Sequence, residues 1–193
     1  MKVVLVNGSR RENGCTFTAL NIVAKVLNEN GIDTKLIQVG KRVMDGAVDD
    51  AVDEAAEAMK TADGLVVGSP VYYASPSGEI VMFMDRLFGK AGDDLRLKPG
   101  AAIASARRGG TTATLDVLNK YFLYSNMPLV PSRYWNIVHG SKAEDVLEDK
   151  EGVQIMETLG RNMVWLLKSI EAGKAAGVEQ PVAPKSVFTN FIR

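Results

Sequence analysis

The residues of this chain able to do chemistry fall in three short stretches, each set directly after an apolar run. The first, NGSRRENGCT at residues 7–16, mixes hydroxyls, amides, arginines and two glycines. An apolar strand, a polar turn and a helix start, in that order, make an anion site. The backbone N–H groups of the turn and of the first helical turn converge there, and the helix dipole favours negative charge. Ser9, Thr16 and the N–H groups of Asn13, Gly14 and Cys15 are candidate donors, with Arg11 as a candidate neutralising charge. The stretch lacks the Lys and the glycine spacing of a Walker A loop, and it lacks G-x-G-x-x-G. Six residues after Cys15 stands Asn21, where a cysteine-type phosphatase needs Arg. Two readings remain: a mononucleotide phosphate cradle, and a plain strand-to-helix turn with a serine cap.

The second stretch, GSPVYYASPSG at residues 68–78, carries Pro70, Val71, Tyr72 and Tyr73. Prolines stiffen the backbone, and tyrosines offer flat apolar faces with a polar tip, so a rigid wall for a planar ring is one reading. The other is a tyrosine packed on the sheet edge or in a subunit contact. Glu79 and Asp85 beyond it read as helix-surface residues. The third stretch, SARRGGTT at residues 105–112, holds Ala106, Arg107, Arg108, Gly109 and Gly110. Paired glycines let a backbone come close to a ligand. An arginine there can meet a phosphate or stack on a ring, or else remain a solvated surface cation.

These stretches need elements to hold them. Apolar runs at residues 3–6, 34–39, 65–67 and 101–104 read as strands, the third stopped by Ser69-Pro70. A fifth strand region covers residues 127–130 and 134–138, broken by Pro131. Helical periodicity appears at Leu20, Val23, Ala24 and Leu27, ended by Asn30-Gly31. It recurs over residues 49–59, at Ile80, Phe83, Met84 and Leu87, at Leu115, Leu118 and Phe122, and from Ile155 to Ile170 with a close near Gly173. Such alternation predicts a parallel sheet with helices on both faces and right-handed crossovers. For five strands the common order is 2-1-3-4-5, with the ligand crevice at the carboxyl ends of strands one and three. That order brings the three stretches to one place.

Composition bounds the rest. The 193 residues make one domain, here 1–173, with a C-terminal tail at 174–193. Lys plus Arg and Asp plus Glu balance at 23 each, which argues against nucleic-acid binding through bulk charge. No run approaches the ~20 apolar residues of a membrane span, and no signal-peptide pattern is present, so a cytoplasmic protein is expected. The one cysteine rules out an internal disulfide and a cysteine-based metal cluster. Cys15 is either a redox-sensitive thiol at a helix start or a small loop residue. His139 is either a donor at the site mouth or a surface residue, and Met82 and Met84 read as core or interface. Phe188, Phe191 and Ile192 in the tail favour docking on a neighbouring subunit.

The combination G-S-x-R-x-x-G-x-T, met by Gly8, Ser9, Arg11, Gly14 and Thr16, with S-P-x-Y, met by Ser69, Pro70, Val71 and Tyr72, resembles the flavodoxin-like FMN reductase superfamily. It is most similar to the NADPH-dependent FMN reductase and iron-sulfur flavoprotein branch, over roughly residues 1 to 170. The resemblance implies a flavodoxin-like three-layer α/β sandwich with FMN as cofactor. The first loop would hold the phosphate, and the other two would flank the isoalloxazine ring. It implies an NAD(P)H-dependent oxidoreductase passing electrons by a ping-pong route to a small-molecule acceptor: a quinone, azo compound, nitroaromatic or flavin. A homodimer or homotetramer is expected, with the helix around Ile80–Leu87 and the tail as contacts, and no catalytic side chain or metal. Iron-sulfur members carry a compact cysteine cluster after the second strand. Residues 39–50 here have none, so FMN alone is expected. The alternatives are a flavodoxin-type electron carrier, disfavoured by the neutral charge and Arg-rich loops, and a nucleotide-binding regulatory protein.

Overall fold

The computed structural model describes residues 1–183, 185, 187 and 189. The tail residues Phe188, Phe191 and Ile192 lie outside the described set. In chain order the elements are β1 (Lys2–Asn7), α1 (Cys15–Glu29), β2 (Asp33–Gln38), α2 (Gly40–Met44), α3 (Val48–Thr61), β3 (Gly64–Tyr72) and β4 (Ser75–Pro76). They continue with α4 (Gly78–Lys90), α5 (Gly92–Leu95), β5 (Gly100–Ala106), α6 (Thr111–Tyr124), β6 (Ile137–His139), α7 (Ala143–Glu148) and α8 (Lys150–Ala175).

The parallel sheet has the order β2-β1-β3-β5-β6, with β4 a short antiparallel partner of β3. Setting β4 aside, this is the expected 2-1-3-4-5 arrangement. Successive strand residues point to opposite faces, and the sheet uses that period to feed two cores. Val4, Val6, Leu65 and Val67 face α3, α4 and α6, while Val3, Leu5 and Val66 face α1 and α8. The strands are apolar on both faces because both are covered.

Two expectations need correction, at the third and fifth strands. Ser69-Pro70 does not end the third strand, which continues to Tyr72 with Pro70 in register with Ser105 of β5. Pairing to β1 stops at Gly68, so one flank of β3 is free where Pro70 sits, and proline is tolerated at such an edge. The last helix closes at Ala175, near the expected Gly173. The apolar face of α4, with Ile80, Phe83, Met84 and Leu87, is fully buried within the chain, and of the methionine pair only Met82 is exposed. The fifth strand shrinks to three residues, with Leu129 left as an isolated bridge to Gly100.

Candidate functional site

The first loop is shaped by two amides. Asn7 ends β1 and is fully buried. Its Oδ1 accepts from the Ser9 N–H at 3.1 Å, and its Nδ2 donates to Gln38 Oε1 at 2.6 Å and to the Glu12 carbonyl at 3.3 Å. Gln38 Nε2 in turn donates to the Ser9 carbonyl at 2.7 Å. On the other side the Ser77 hydroxyl donates to the Gly8 carbonyl at 3.0 Å and caps α4 by accepting from the Ile80 N–H. The Ser77 N–H donates to Ser69 Oγ at 3.0 Å. The first loop is thus tied to β2 and to the β3–α4 connection before any ligand is considered.

The loop ends at Gly14, the N-cap of α1, which offers no side-chain cap. The first N–H groups of an α-helix have no intrahelical acceptor, so those at Cys15 and Thr16 are free to meet an anion. Thr16 is buried, and its Oγ1 shares a hydrogen bond of 2.7 Å with Ser105 Oγ, which links the first loop to β5. Arg11 Nη1 donates to the Ser141 carbonyl at 3.3 Å, reaching across to the segment after β6. Burial pushes the Cys15 thiol above its ordinary pKa, more strongly than its own backbone hydrogen bond lowers it. It is a half-buried thiol, not an activated thiolate.

At the carboxyl ends of β1, β3 and β5 lies an open cleft of about 280 Å³, lined by Ser9, Arg11, Cys15, Thr16, Pro70, Val71, Tyr72, Ser105, Ala106, Arg107, Gly140 and Ser141. All three stretches picked out from the sequence contribute to it. Asn13 and Gly14 belong to the same loop behind the lining. Tyr73 and Ala74 form the tip of the β3–β4 hairpin, both with left-handed backbones (φ 50° and 58°), and Tyr73 is wholly exposed. Gly109 and Gly110 follow in the same loop, and Gly110 has a packing role of its own. Its φ is 97°, and a Cβ there would come within 2.7 Å of Ala74 Cα and 2.9 Å of Val71 Cγ1. The glycine seats the hairpin on the start of α6.

Sequence reasoning missed Gly140 and Ser141 as a fourth wall, along with the shaping amides Asn7 and Gln38. Residues 140–142 follow the three-residue strand β6, and Asp145 holds them by accepting from the Ser141 N–H at 2.8 Å and the Lys142 N–H at 3.2 Å. His139 does not line the cleft. Its ring faces Asp149, with Nδ1 3.6 Å from Oδ2, and its N–H donates to the same oxygen at 2.7 Å.

A doubly wound five-strand sheet, with a polar cleft at the carboxyl ends of its inner strands and an uncapped helix start facing that cleft, defines the flavodoxin-like class. Solved structures bear this out for the fold. A RosB structure superposes with a TM-score of 0.71 at 12% identity over 100% of this chain and 92% of that one. FerB, an NAD(P)H:(acceptor) oxidoreductase from Paracoccus denitrificans, gives 0.68 at 15% identity over 87% and 97%. A flavodoxin from the domain Archaea gives 0.63 at 19% identity over 87% and 99%.

The particular family follows from the sequence itself. The profile of the NADPH-dependent FMN reductase family matches residues 1–142, and the chain belongs to that family. Among curated relatives, an iron-sulfur flavoprotein of Methanocaldococcus jannaschii is 29% identical, covering 89% of this chain and 100% of its own length. One from Methanosarcina thermophila is 24% identical over 90% and 99%. This chain has the single cysteine Cys15.

Proposed function

We propose that this protein is an FMN-dependent NAD(P)H oxidoreductase that reduces a small-molecule acceptor of the quinone, azo, nitroaromatic or flavin type. The observation that carries the reading is the uncapped start of the 15-residue helix α1 facing the same cleft as the half-exposed Tyr72 ring. The residues present fit FMN: an anion-accepting helix start at one end, and an apolar wall of Pro70, Val71 and Tyr72 beside it. When bound, FMN would supply the redox chemistry, two-electron transfer between a reduced nicotinamide and the acceptor in ping-pong order.

The chain supplies binding and electrostatics. Ser9 and the N–H groups from Asn13 to Thr16 would hold the phosphate, with Arg11 closing over it. The Ala106–Arg107 backbone would stand at the opposite edge, where donors stabilise negative charge on a reduced ring. Tyr73, Gly109 and Gly110 would shape the rim rather than touch the cofactor. With one cysteine and a cluster needing several thiolates, FMN is the sole redox group of this reading. A homodimer or homotetramer in the cytoplasm belongs to the same proposal, supported by the exposed Met82, Leu123 and Tyr124 and tested by size-exclusion chromatography.

The decisive experiment is the absorbance spectrum of the purified protein, followed by anaerobic mixing with NADH and NADPH. A flavin spectrum that bleaches with either nicotinamide is expected. A flavin that stays oxidised at millimolar nicotinamide would sink the reductase reading and leave an electron carrier. A colourless protein that takes up no added FMN would remove the flavin as well.

A further inference from the structure

Glu79 stands in the first turn of α4 with its side chain only 12% exposed, and its carboxylate meets Arg10 Nε at 3.3 Å. The same guanidinium lies over the Tyr72 ring, with its carbon 5.6 Å from the centroid. One arginine therefore joins three segments that are distant in the chain: the first loop, the start of α4 and the end of β3. Glu79 is the fixed point of the three. The helix dipole favours a carboxylate in a first turn, and Ser77 caps this one while bonded to Gly8 and Ser69. Arg10 is half exposed and takes its direction from that carboxylate. A planar guanidinium can engage a carboxylate through its N–H edge and an aromatic ring through its face.

Tyr72 is the member with freedom to lose. The pairing of β3 with β1 ends at Gly68, and its pairing with β5 ends at Pro70. At Tyr72 only the two-residue strand β4 lies alongside, and the next residues, Tyr73 and Ala74, turn away in left-handed conformations. The Tyr72 ring is part exposed and stacks on no other aromatic ring among the described residues. Tyr72 lines the cleft, whereas Arg10 does not. The arginine therefore reaches the cleft through the ring it covers.

We propose that Arg10 and Glu79 are positioning residues that lock the Tyr72 ring as the wall on which a flavin ring rests. The inference rests on the flavin reading above. A wall placed in advance loses less freedom when a flat ligand settles against it. Two other roles for Arg10 give different results and are separated by the test. As a neighbour of Ser9 and Arg11 it could serve the phosphate directly, and as a free charge it could attract any anion from a distance.

The full chain, stripped of flavin, is titrated with FMN and with riboflavin, which share the ring and differ in the phosphate. Arg10→Met is expected to weaken both by the same factor, about two- to fivefold, so that the preference for FMN over riboflavin is unchanged. Glu79→Gln is expected to weaken both as well, and Arg10→Lys to recover part of the loss. In a Tyr72→Ala background, Arg10→Met is expected to change neither affinity. A loss confined to FMN assigns Arg10 to the phosphate and overturns the proposal. Tighter FMN binding in Glu79→Gln, the mark of a released charge, overturns it too, as does an Arg10→Met effect undiminished without the Tyr72 ring. A second readout needs no flavin. The five tyrosines are replaced by 3-fluorotyrosine, and the Tyr72 fluorine signal is assigned with Tyr72→Phe. Arg10→Met is expected to move that signal toward the value of free fluorotyrosine while the Tyr121 signal stays in place. An unmoved Tyr72 signal overturns the lock. The flavin reading fails separately, when the parent protein binds neither flavin while the Tyr72 signal moves as expected.

Discussion

Thr16 reads in the sequence as a hydroxyl donor to an anion, but its hydroxyl is occupied by Ser105 in a buried pair. In the proposed cradle its part would therefore pass through its N–H and through the position the pair enforces. Thr16→Val leaves the Ser105 hydroxyl buried without its partner and is expected to cost about 1–3 kcal/mol, read as a lowered urea midpoint. Combined with Ser9→Ala, it should weaken FMN retention, measured by equilibrium dialysis, more than it changes the far-ultraviolet spectrum. A double variant that retains FMN as the parent does would remove both residues from the cradle. Far from the cleft, burial first and the Asp85 carboxylate second push the Tyr121 hydroxyl up to about 12. A raised pKa in the folded state contributes stability below the ordinary value near 10, and that contribution is lost as pH climbs through 12. Tyr121→Phe is expected to flatten the fall of stability across that window, measured by urea denaturation at stepped pH.

At the scale of elements, the cleft is built on glycines that permit close packing. Gly68 of β3 leaves room for Thr16, where a Cβ would stand 2.7 Å from Cγ2. Gly40 at the start of α2 backs directly onto the Gly8–Ser9 backbone. At Gly110 both effects coincide, since its φ is 97° and Ala74 stands in the way of a Cβ. Gly110→Ala is expected to cost about 1–3 kcal/mol and to loosen the hairpin, visible as faster amide exchange over residues 71–76. Unchanged exchange there would mean the hairpin is held from elsewhere. The edge strand β6 shows the same economy. Asp149 accepts the His139 N–H and caps α8 by accepting from the Gly152 N–H at 2.9 Å. Two orphan donors are met by one carboxylate, and an outward-facing N–H of the edge is closed to pairing. Asp149→Ala should therefore cost about 0.5–2 kcal/mol, with the loss appearing first at the start of α8.

Across the whole molecule, two cores flank one sheet, and the site lies at the end of the sheet where β1, β3 and β5 finish together. A cavity of about 400 Å³ at the other end, near Met1, Asp63 and Lys98, gathers none of the three chemistry-bearing stretches. The layer of α1 and α8 is set by one close crossing, where a Cβ on Gly160 would meet Val26 Cβ at 2.8 Å. Gly160→Val drives the two helices apart and is expected to cost about 1–3 kcal/mol through overpacking, measured by thermal or urea unfolding. Because α1 also presents its start to the cleft, the same variant should lower FMN affinity without changing any residue of the site.

Much of this was legible in the residues alone. Strand-helix alternation with apolar runs covered on both sides leaves a doubly wound sheet as the arrangement that buries both faces. That arrangement already sends the loops at residues 7–16, 68–78 and 105–112 to one end. The place of the cleft was legible too, because strand order alone sets which loops meet at the carboxyl ends of the inner strands. Tertiary structure decided the rest, wherever a side chain's partner is distant in sequence. It committed the Thr16 hydroxyl to Ser105 and Arg11 to Ser141, and it let β3 run through Pro70 because one flank was free. It packed Gly110 against Ala74, and it brought in Gly140 and Ser141 as a wall. Local pattern sets which groups a loop offers. Only the packing of elements far apart in the chain sets which of those groups remain free to act.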